Sequence, residues 1–247
     1  MSNPKVIDIS HHQPDPIDWA KVKNGGTLAV IHKATEGTTH VDEDMLPRQA
    51  AATQAGLSWS TYHFLRPGNS TQQMDFYLQT ADPPTGSRVC LDHEDSGVSL
   101  DDLKAAIKYL GQQRPDLQIT LYSGHLIEEQ LNGEYDHYLA TSVSLWTAQY
   151  TDRPSDVDWN DATWPKPALW QYSDQTTVDG IDGPVDGNKW NGSDENLVKW
   201  FGPPTDVPEP KPPVTPIVEV SIYAPKSVAL SVTVNGEPMT YANGEDG

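Results

Sequence analysis

Short apolar runs punctuate the chain, and between the early ones the pattern changes from strand-like alternation to helical periodicity. The runs are Val6 to Ser10, Leu28 to Thr35, Leu57 to Leu65, Arg88 to Asp95, Ile119 to Gly124, Leu145 to Tyr150, Ala168 to Tyr172 and Val185 to Trp190. Their length, apolar content and flanking turn residues predict eight strands. Asp42 to Ala55 is alanine-rich and stops at Gly56, a residue suited to closing a helix. Ser70 to Thr80 opens on a good capping residue. Ser99 begins a third helix, with Asp101 and Asp102 in the first turn where the helix dipole favours acids. Leu103, Ile107 and Leu110 share its apolar face, and Arg114-Pro115 ends it. His125 to Leu131 reads as a shorter helix.

Strands alternating with helices imply parallel βα units. Beyond Tyr138 the alternation fails, and Thr151–Pro167 and Ser173–Pro184 are rich in Pro, Asp and Gly and read as loops. The expected fold is α/β: a reduced eight-stranded βα barrel, with helices mainly after the first five strands. A complete βα barrel takes about 250 residues; with fewer helices, residues 1–202 suffice. A linker with seven prolines follows over 203–216 and reads as an extended spacer. Residues 217–247 then alternate again, from Ile217 to Tyr223 and from Val228 to Val234, with turn signals at Asn235-Gly236 and Asn243-Gly244. So short a segment cannot bury a core of its own, so it is expected to dock on the body, to pair with another copy as a homo-oligomer contact, or to fold on its target.

Composition narrows the partners. The 247 residues carry 35 acidic and 16 basic side chains, a net charge of -19. That argues against nucleic acid and against adsorption to an anionic membrane, both of which need a basic face. No run approaches the roughly 20 apolar residues of a spanning helix. Cys90 is the single cysteine, so no intrachain disulfide forms. The start of the chain has no apolar signal core, so no standard secretory exit is expected. Eight Trp and ten Tyr against three Phe favour aromatics with a polar handle, suited both to packing and to half-wet sugar platforms.

The strongest candidate chemistry is Val89-Cys-Leu-Asp92-His-Glu94-Asp95. Asp92 and Glu94 stand two apart on a strand, so they face one side, with Cβ atoms about 6–7 Å apart at twice the rise per residue. In a barrel that side is the interior, at the strand end where active sites form. Two ionised carboxyls there repel, and one keeps its proton to higher pH, as a general acid requires. A solvated acidic strand end is the plainer alternative. Asp8, between Ile7 and Ile9, faces the same interior from the first strand, and Asp186 does so from the last. First and last strands meet when a barrel closes. Turn capping fits either of these two taken singly.

The ordered set of local motifs resembles glycoside hydrolase family 25, the lysozymes (N-acetylmuramidases) common among phage endolysins. The matching pieces are Asp8-Ile-Ser with Asp18-Trp19, Ile31-His-Lys33-Ala-Thr-Glu36-Gly37, Tyr62-His-Phe64, Leu91-Asp92-His-Glu94, Leu121-Tyr122, Leu145-Trp146-Thr-Ala-Gln149-Tyr150, Leu169-Trp170-Gln171-Tyr172 and Val185-Asp186. They cover about residues 5 to 201 and leave out the linker and tail. The resemblance implies cleavage of the β-1,4 bond between N-acetylmuramic acid and N-acetylglucosamine in bacterial peptidoglycan; no cofactor or metal is expected. It places the acid at Glu94, with Asp92 beside it and Asp8 and Asp186 in support. His93 departs from what a buried strand prefers and should face away from the two acids.

Two routes stay open once Glu94 has protonated the leaving oxygen: Asp92 attacks as a nucleophile, or the substrate's 2-acetamido group attacks while Asp92 orients it. The second is favoured, because two acids on one strand approach the sugar from one side and a nucleophile must attack opposite the leaving group. Lys33, Glu36, Tyr62, Phe64, Tyr122, Trp146, Gln149, Tyr150 and Gln171 are the candidate groove residues, with Tyr62, Tyr122 and Trp146 ranked above Phe64 and Tyr150, for which core packing is the stronger rival. Among the rivals, a chitinase signature fails at Cys90 and Ser87, where further acids belong. His11-His12 is a poor metal pair, since neighbours on a strand end diverge. No Gly-rich phosphate loop and no Gly-x-Ser-x-Gly elbow occurs. A non-catalytic wall-binding module would have no need of Glu94 and Asp92.

Overall fold

The computed structural model describes residues 2–151, 159, 161–202, 233–234 and 237–238. The chain divides into two compact units, Met1–Pro210 and Lys211–Gly247.

In the first unit the strands are β1 (Val6–Ile9), β2 (Ala29–Glu36), β3 (His40–Val41), β4 (Ser58–Phe64), β5 (Arg88–Asp92), β6 (Gln118–Ser123), β7 (Ser144–Ala148), β8 (Leu169–Thr176) and β9 (Val185–Trp190). All but β3 form a closed eight-stranded barrel. β1 pairs with β2, and β2, β4, β5, β6, β7 and β8 follow in parallel register. β9 closes the circle antiparallel to both β8 and β1. The two residues of β3 fold back on the end of β2 and extend the rim.

The helices are α1 (Trp19–Asn24), α2 (Met45–Gln54), α3 (Ser70–Ala81), α4 (Leu100–Gln113), α5 (His125–Leu131), α6 (His137–Ser142) and α7 (Asp194–Phe201). Their distribution is the expected one: helices follow the early strands, and none lies between β7 and β9 among the described residues. α4 starts with a reciprocal capping box, in which Ser99 caps Asp102 N and the Asp102 side chain accepts from Ser99 N. Three helices lacked a clear sequence signal: α1 and α6 have six residues each, too few for an amphipathic period, and α7 hides in the polar stretch after Trp190.

The reversed direction of β9 differs from the parallel arrangement the alternation suggested. A parallel return needs a crossover of a dozen or more residues. Only residues 177–184 separate Thr176 from Val185, so the chain turns straight back. The consequence is functional. The C-terminal ends of the other seven strands form one mouth, and β9 reaches that mouth with its first residues, which include Asp186.

Two apolar layers flank the barrel wall. Val89, Leu91, Leu103, Ile107 and Leu110 pack between β5 and the outer helices. Val6, Ile31, Cys90, Tyr122, Trp146 and Leu169 fill the interior, joined by Leu197 and Phe201 of α7, which plug the end opposite the mouth. Along β5 the alternation therefore sends Arg88, Cys90 and Asp92 inward and Val89 and Leu91 outward. Truncating an outward residue such as Leu91 (0% exposed) would leave a cavity costing about 2–5 kcal/mol.

Of the second unit the described residues form one antiparallel pair, β10 (Thr233–Val234) with β11 (Glu237–Pro238). The Pro-rich linker over 203–216, the runs Ile217 to Tyr223 and Val228 to Val232, and both Asn-Gly turns lie outside the described residues.

Candidate active site

β5 ends at Asp92, and the ladder runs one residue further, where His93 N donates to Tyr122 O (2.9 Å). The extended course brings the Glu94 carboxyl to the rim of the interior that Asp92 occupies. Asp92 is 6% exposed and Asp8 is 5% exposed. Asp8 and Asp186 are register partners across β1 and β9. Burial pushes the Asp92 carboxyl well up, and the Glu94 charge adds to it, while Lys33 works the other way. Burial also raises Glu94, with Asp186 contributing. Asp8 is raised well above the ordinary carboxylate range by burial and then by Asp186. Asp186 is raised by burial, against a lowering hydrogen bond with Asp8. Glu94 is exposed as a whole residue although its carboxyl is desolvated enough to shift; one edge meets solvent and the other meets acids. The four carboxyls from β1, β5 and β9 thus form one electrostatic group.

A polar lattice holds the group in place. Gln171 Nε2 donates to both Asp8 oxygens (3.0 and 3.1 Å) and approaches Asp186 Oδ2 at 3.5 Å. Its Oε1 accepts from the hydroxyls of Tyr122 (2.8 Å) and Tyr150 (3.1 Å), which fixes the orientation of the amide. Asn188 Nδ2 donates to Asp8 Oδ2 (2.6 Å), and Asn188 Oδ1 accepts from Trp146 Nε1 (2.7 Å). In contrast, Asp92 Oδ1 is buried with no hydrogen-bond partner among the described residues. A buried acceptor without a donor costs about 1–3 kcal/mol, so this atom is poised for a donor from outside the protein.

The structure separates the candidate groove residues into three groups. Tyr62 and Tyr122 reach the acids from the barrel interior, and burial followed by the nearby carboxylates keeps both hydroxyls protonated as donors. Trp146 is 2% exposed and packs on Tyr122 (ring centroids 4.4 Å apart), so its indole is a wall of the interior and presents no open face to a sugar. Tyr150 is 56% exposed beside the mouth, with Gln149 preceding it; Gln149 O accepts from Trp170 Nε1 (2.7 Å).

Lys33, Glu36 and Phe64 line the β2–β4 side of the rim. Lys33 Nζ pairs with Glu36 Oε2 (2.5 Å), and Arg66 binds Glu36 Oε1 (2.6 and 2.8 Å) and Asp95 Oδ2 (2.9 Å). The Phe64 ring lies within 5.2 Å of Lys33 Nζ and 4.5 Å of Arg66 Cζ, measured to its centroid. A polar cleft of about 390 Å³ continues outward from Glu36 and Arg66 to His40, Asn69 and Gln72.

His93 points out of the barrel, fully buried, with Nε2 2.8 Å from Gln130 Oε1 on α5; this is the orientation expected of it. His11 is engaged by Asp42 through its backbone N (2.8 Å) and Nδ1 (3.1 Å), with the His12 ring against it. Among the described residues no three His, Cys, Asp or Glu side chains are grouped to hold a metal ion. Two members of the site went unnoticed in the sequence. Asn188 had a usable signal, since it follows Asp186 by two on one strand and shares its face. Arg66 had none, because it lies past the end of β4, where periodicity stops.

A barrel that gathers buried carboxyls at one mouth, one of them at a solvent edge with a raised pKa, has the parts of a glycoside hydrolase. The family described as Glycosyl hydrolases family 25 matches residues 7–181. The chain is 33% identical over 204 residues to a protein of Escherichia coli O6:H1 called uncharacterized protein YegX, covering 77% of this chain and 71% of that one. It is 30% identical over 212 residues to lysozyme M1 of Streptomyces globisporus, with 78% and 69% covered. Its fold superposes on the crystal structure of the bacterial lysozyme from Streptomyces coelicolor with a TM-score of 0.70 at 26% identity, covering 81% of this chain and 98% of that one. The chain belongs to glycosyl hydrolases family 25.

Proposed function

We propose that this chain is a muramidase that hydrolyses the β-1,4 bond between N-acetylmuramic acid and N-acetylglucosamine in bacterial peptidoglycan, with Glu94 as general acid and base. The observation that carries the reading is the joint placement of Glu94 and the donorless Asp92 Oδ1 at one mouth. The similarity to lysozyme M1 supports the substrate class.

Glu94 donates its proton to the glycosidic oxygen, because a sugar alkoxide leaves poorly at neutral pH. Positive charge then grows on the ring and is met by the field of Asp92, Asp8 and Asp186. Asp92 Oδ1 accepts the N–H of the 2-acetamido group and turns its carbonyl oxygen onto C1. The acetamido oxygen forms the new bond to C1 as the leaving oxygen departs with the Glu94 proton. Glu94, now ionised, draws a proton from the water that opens the cyclic intermediate, and the acid is regenerated. The arrangement of Asp92 favours this course over direct attack: a nucleophile lies opposite the leaving group, and Asp92 rises from the same strand as the acid. Tyr62 serves as a donor on the inner side of the groove, where Tyr122 fixes the Gln171 amide, and Tyr150, Gln149, Phe64, Lys33 and Glu36 line the edges.

The test is mass spectrometry of peptidoglycan digested by the chain. New reducing-end muramic acid is expected. Reducing-end glucosamine, or cleaved peptide, sinks the reading. A covalent glycosyl adduct trapped on Asp92 would replace the acetamido route by the nucleophilic one.

A further inference from the structure

At the end of the barrel opposite the acids, a cavity of about 580 Å³ runs around the start of β6 between α4 and α6. Its lining includes Arg88, Lys108, Gln118, Tyr138, Ser142 and Ser144, and no Asp or Glu among the described residues. In a chain with 35 acidic and 16 basic residues that is a local reversal of charge. The volume is that of a small-molecule site.

Arg88 is the unusual member. It is 6% exposed. Its Nε donates to Trp200 O (2.8 Å) and Nη1 to Thr120 Oγ1 (3.0 Å), and the Trp200 ring lies 3.7 Å from its Cζ. All three partners are neutral. Among the described residues no carboxylate pairs with Arg88, and Nη2 donates to none of them. Burial lowers its pKa to about 10, the direction of a cation short of compensating charge. Buried cations are normally paired, because the desolvation of an unpaired one costs several kcal/mol. The second cation, Lys108, is exposed on α4 and reaches the same cavity from its outer side.

We propose that this cavity binds a small oxyanion of the phosphate class, held between the Arg88 guanidinium and the Lys108 ammonium, with serine and tyrosine hydroxyls as further donors. The Nη2 group left over on the guanidinium is a charged donor suited to an oxyanion, and an ammonium supplies a movable second charge. The net charge of -19 repels long polyanions and admits a compact one. The site is distinct from the carboxyl mouth, since Arg88 begins the strand that Asp92 ends.

The experiment is calorimetric titration of the full chain with inorganic phosphate and with glycerol 3-phosphate at matched ionic strength. Saturable binding is expected. Lys108→Gln should weaken it about 3- to 10-fold and Lys108→Glu abolish it, in keeping with a charge-assisted contact. Hydrolysis of peptidoglycan should be unchanged in both. Arg88→Gln should also remove binding; if that variant fails to fold, the two exposed Lys108 variants decide. Preference for the ester over the free ion identifies a phosphorylated metabolite as the ligand, and equal binding identifies free phosphate. The proposal is overturned if neither probe saturates, if acetate binds as tightly as phosphate, or if Lys108→Glu binds like the unmodified chain. None of these outcomes bears on the muramidase reading, which stands on the other mouth.

Discussion

The two ends of the barrel handle buried charge in opposite ways, and strand β5 joins them. Arg88, Cys90 and Asp92 are successive inward residues: a cation at the floor, a thiol in the dry middle and a carboxyl at the mouth. Burial raises the carboxyl and lowers the guanidinium, so both are disfavoured as ions. The responses differ because the groups differ. A crowded carboxylate can take a proton at accessible pH, which is what the acid proposed at Glu94 requires. Arginine keeps its charge at any working pH. At the floor the charge is therefore fixed, and the surroundings supply a carbonyl, a hydroxyl and the face of Trp200. The mouth is suited to chemistry and the floor to binding.

The largest effect expected from breaking this contrast is on turnover. Glu94→Gln keeps the shape of the rim and removes the proton, and should lower kcat by about 10²- to 10⁴-fold, the range of a lost general acid. Binding of peptidoglycan fragments should persist. Release of soluble muropeptides measures the first and cosedimentation with walls the second. Turnover also has a pH signature. Glu94 must be protonated, so activity should fall as pH rises through its raised pKa, and that alkaline limb should disappear in Glu94→Gln. An unchanged rate would remove the mouth from the mechanism.

Stability should respond with opposite signs at the two ends. The Asp92 carboxyl is harder to ionise folded than unfolded, so the folded state binds its proton more tightly. The penalty is absent below the unfolded pKa, grows as pH rises, and is complete above the folded pKa. Asp92→Asn should therefore raise the thermal midpoint at neutral pH, with the gain vanishing toward pH 3, while activity is lost. Arg88→Gln should lower the midpoint although it removes a buried unpaired charge, because the hydrogen bonds to Trp200 O and Thr120 Oγ1 and the stack on the Trp200 ring are lost together, at a net cost of about 1–3 kcal/mol. For a body of this size that is about 2–4 °C per kcal/mol. Differential scanning calorimetry at pH 3 and 7 tests both. A drop in both variants at neutral pH would show that the two ends are governed by packing rather than charge.

Much of the mouth was legible in the sequence, and little of the floor. Asp8, Asp92 and Gln171 lie inside regular strands, where a period of two fixes the face, and the apolar neighbours Ile7, Ile9 and Leu91 declare which face is the wall. Asp186 was placed at the right mouth although its strand runs the other way; an inward residue near the strand end looks the same in either direction, and only the short 177–184 connection carries the difference. Trp146 shows a limit of another kind. Its position on the inner face was readable, but whether an inner aromatic stacks on a ligand or fills the core depends on depth, which periodicity does not encode. Arg88 reads as the polar start of a strand. What makes it unusual is the absence of a carboxylate across space, and that depends on Trp200 and Thr120, residues 112 and 32 positions away.

A smaller effect separates the mouth's interior from its rim. Lys33 lowers the Asp92 pKa through space, against the effects of burial and Glu94. Lys33→Gln should therefore move the acid limb of the pH–rate profile upward, because Asp92 then ionises later. A profile with an unmoved acid limb would mean that Asp92 does not set it.

The smallest effect is expected at Glu36, where the charges are paired and wet. Burial pushes its carboxyl up, yet hydrogen bonds and charge from Lys33 and Arg66 outweigh burial and leave it lowered. A lowered carboxyl contributes stability above its unfolded pKa and loses it as pH falls through the folded value. Its side chain is 23% exposed and that of Arg66 47%, so solvent screens much of the attraction. Glu36→Gln should cost less than about 1 kcal/mol at neutral pH, and less again at 1 M salt, where the screening length falls to about 3 Å. The same variant releases Lys33 from its partner, so chemical denaturation and the pH–rate profile should be measured together. A stability loss well above 1 kcal/mol that persists at high salt would make the rim a buried charge site like the two ends of the barrel, and the division between a titratable interior and a solvated edge would have to be redrawn.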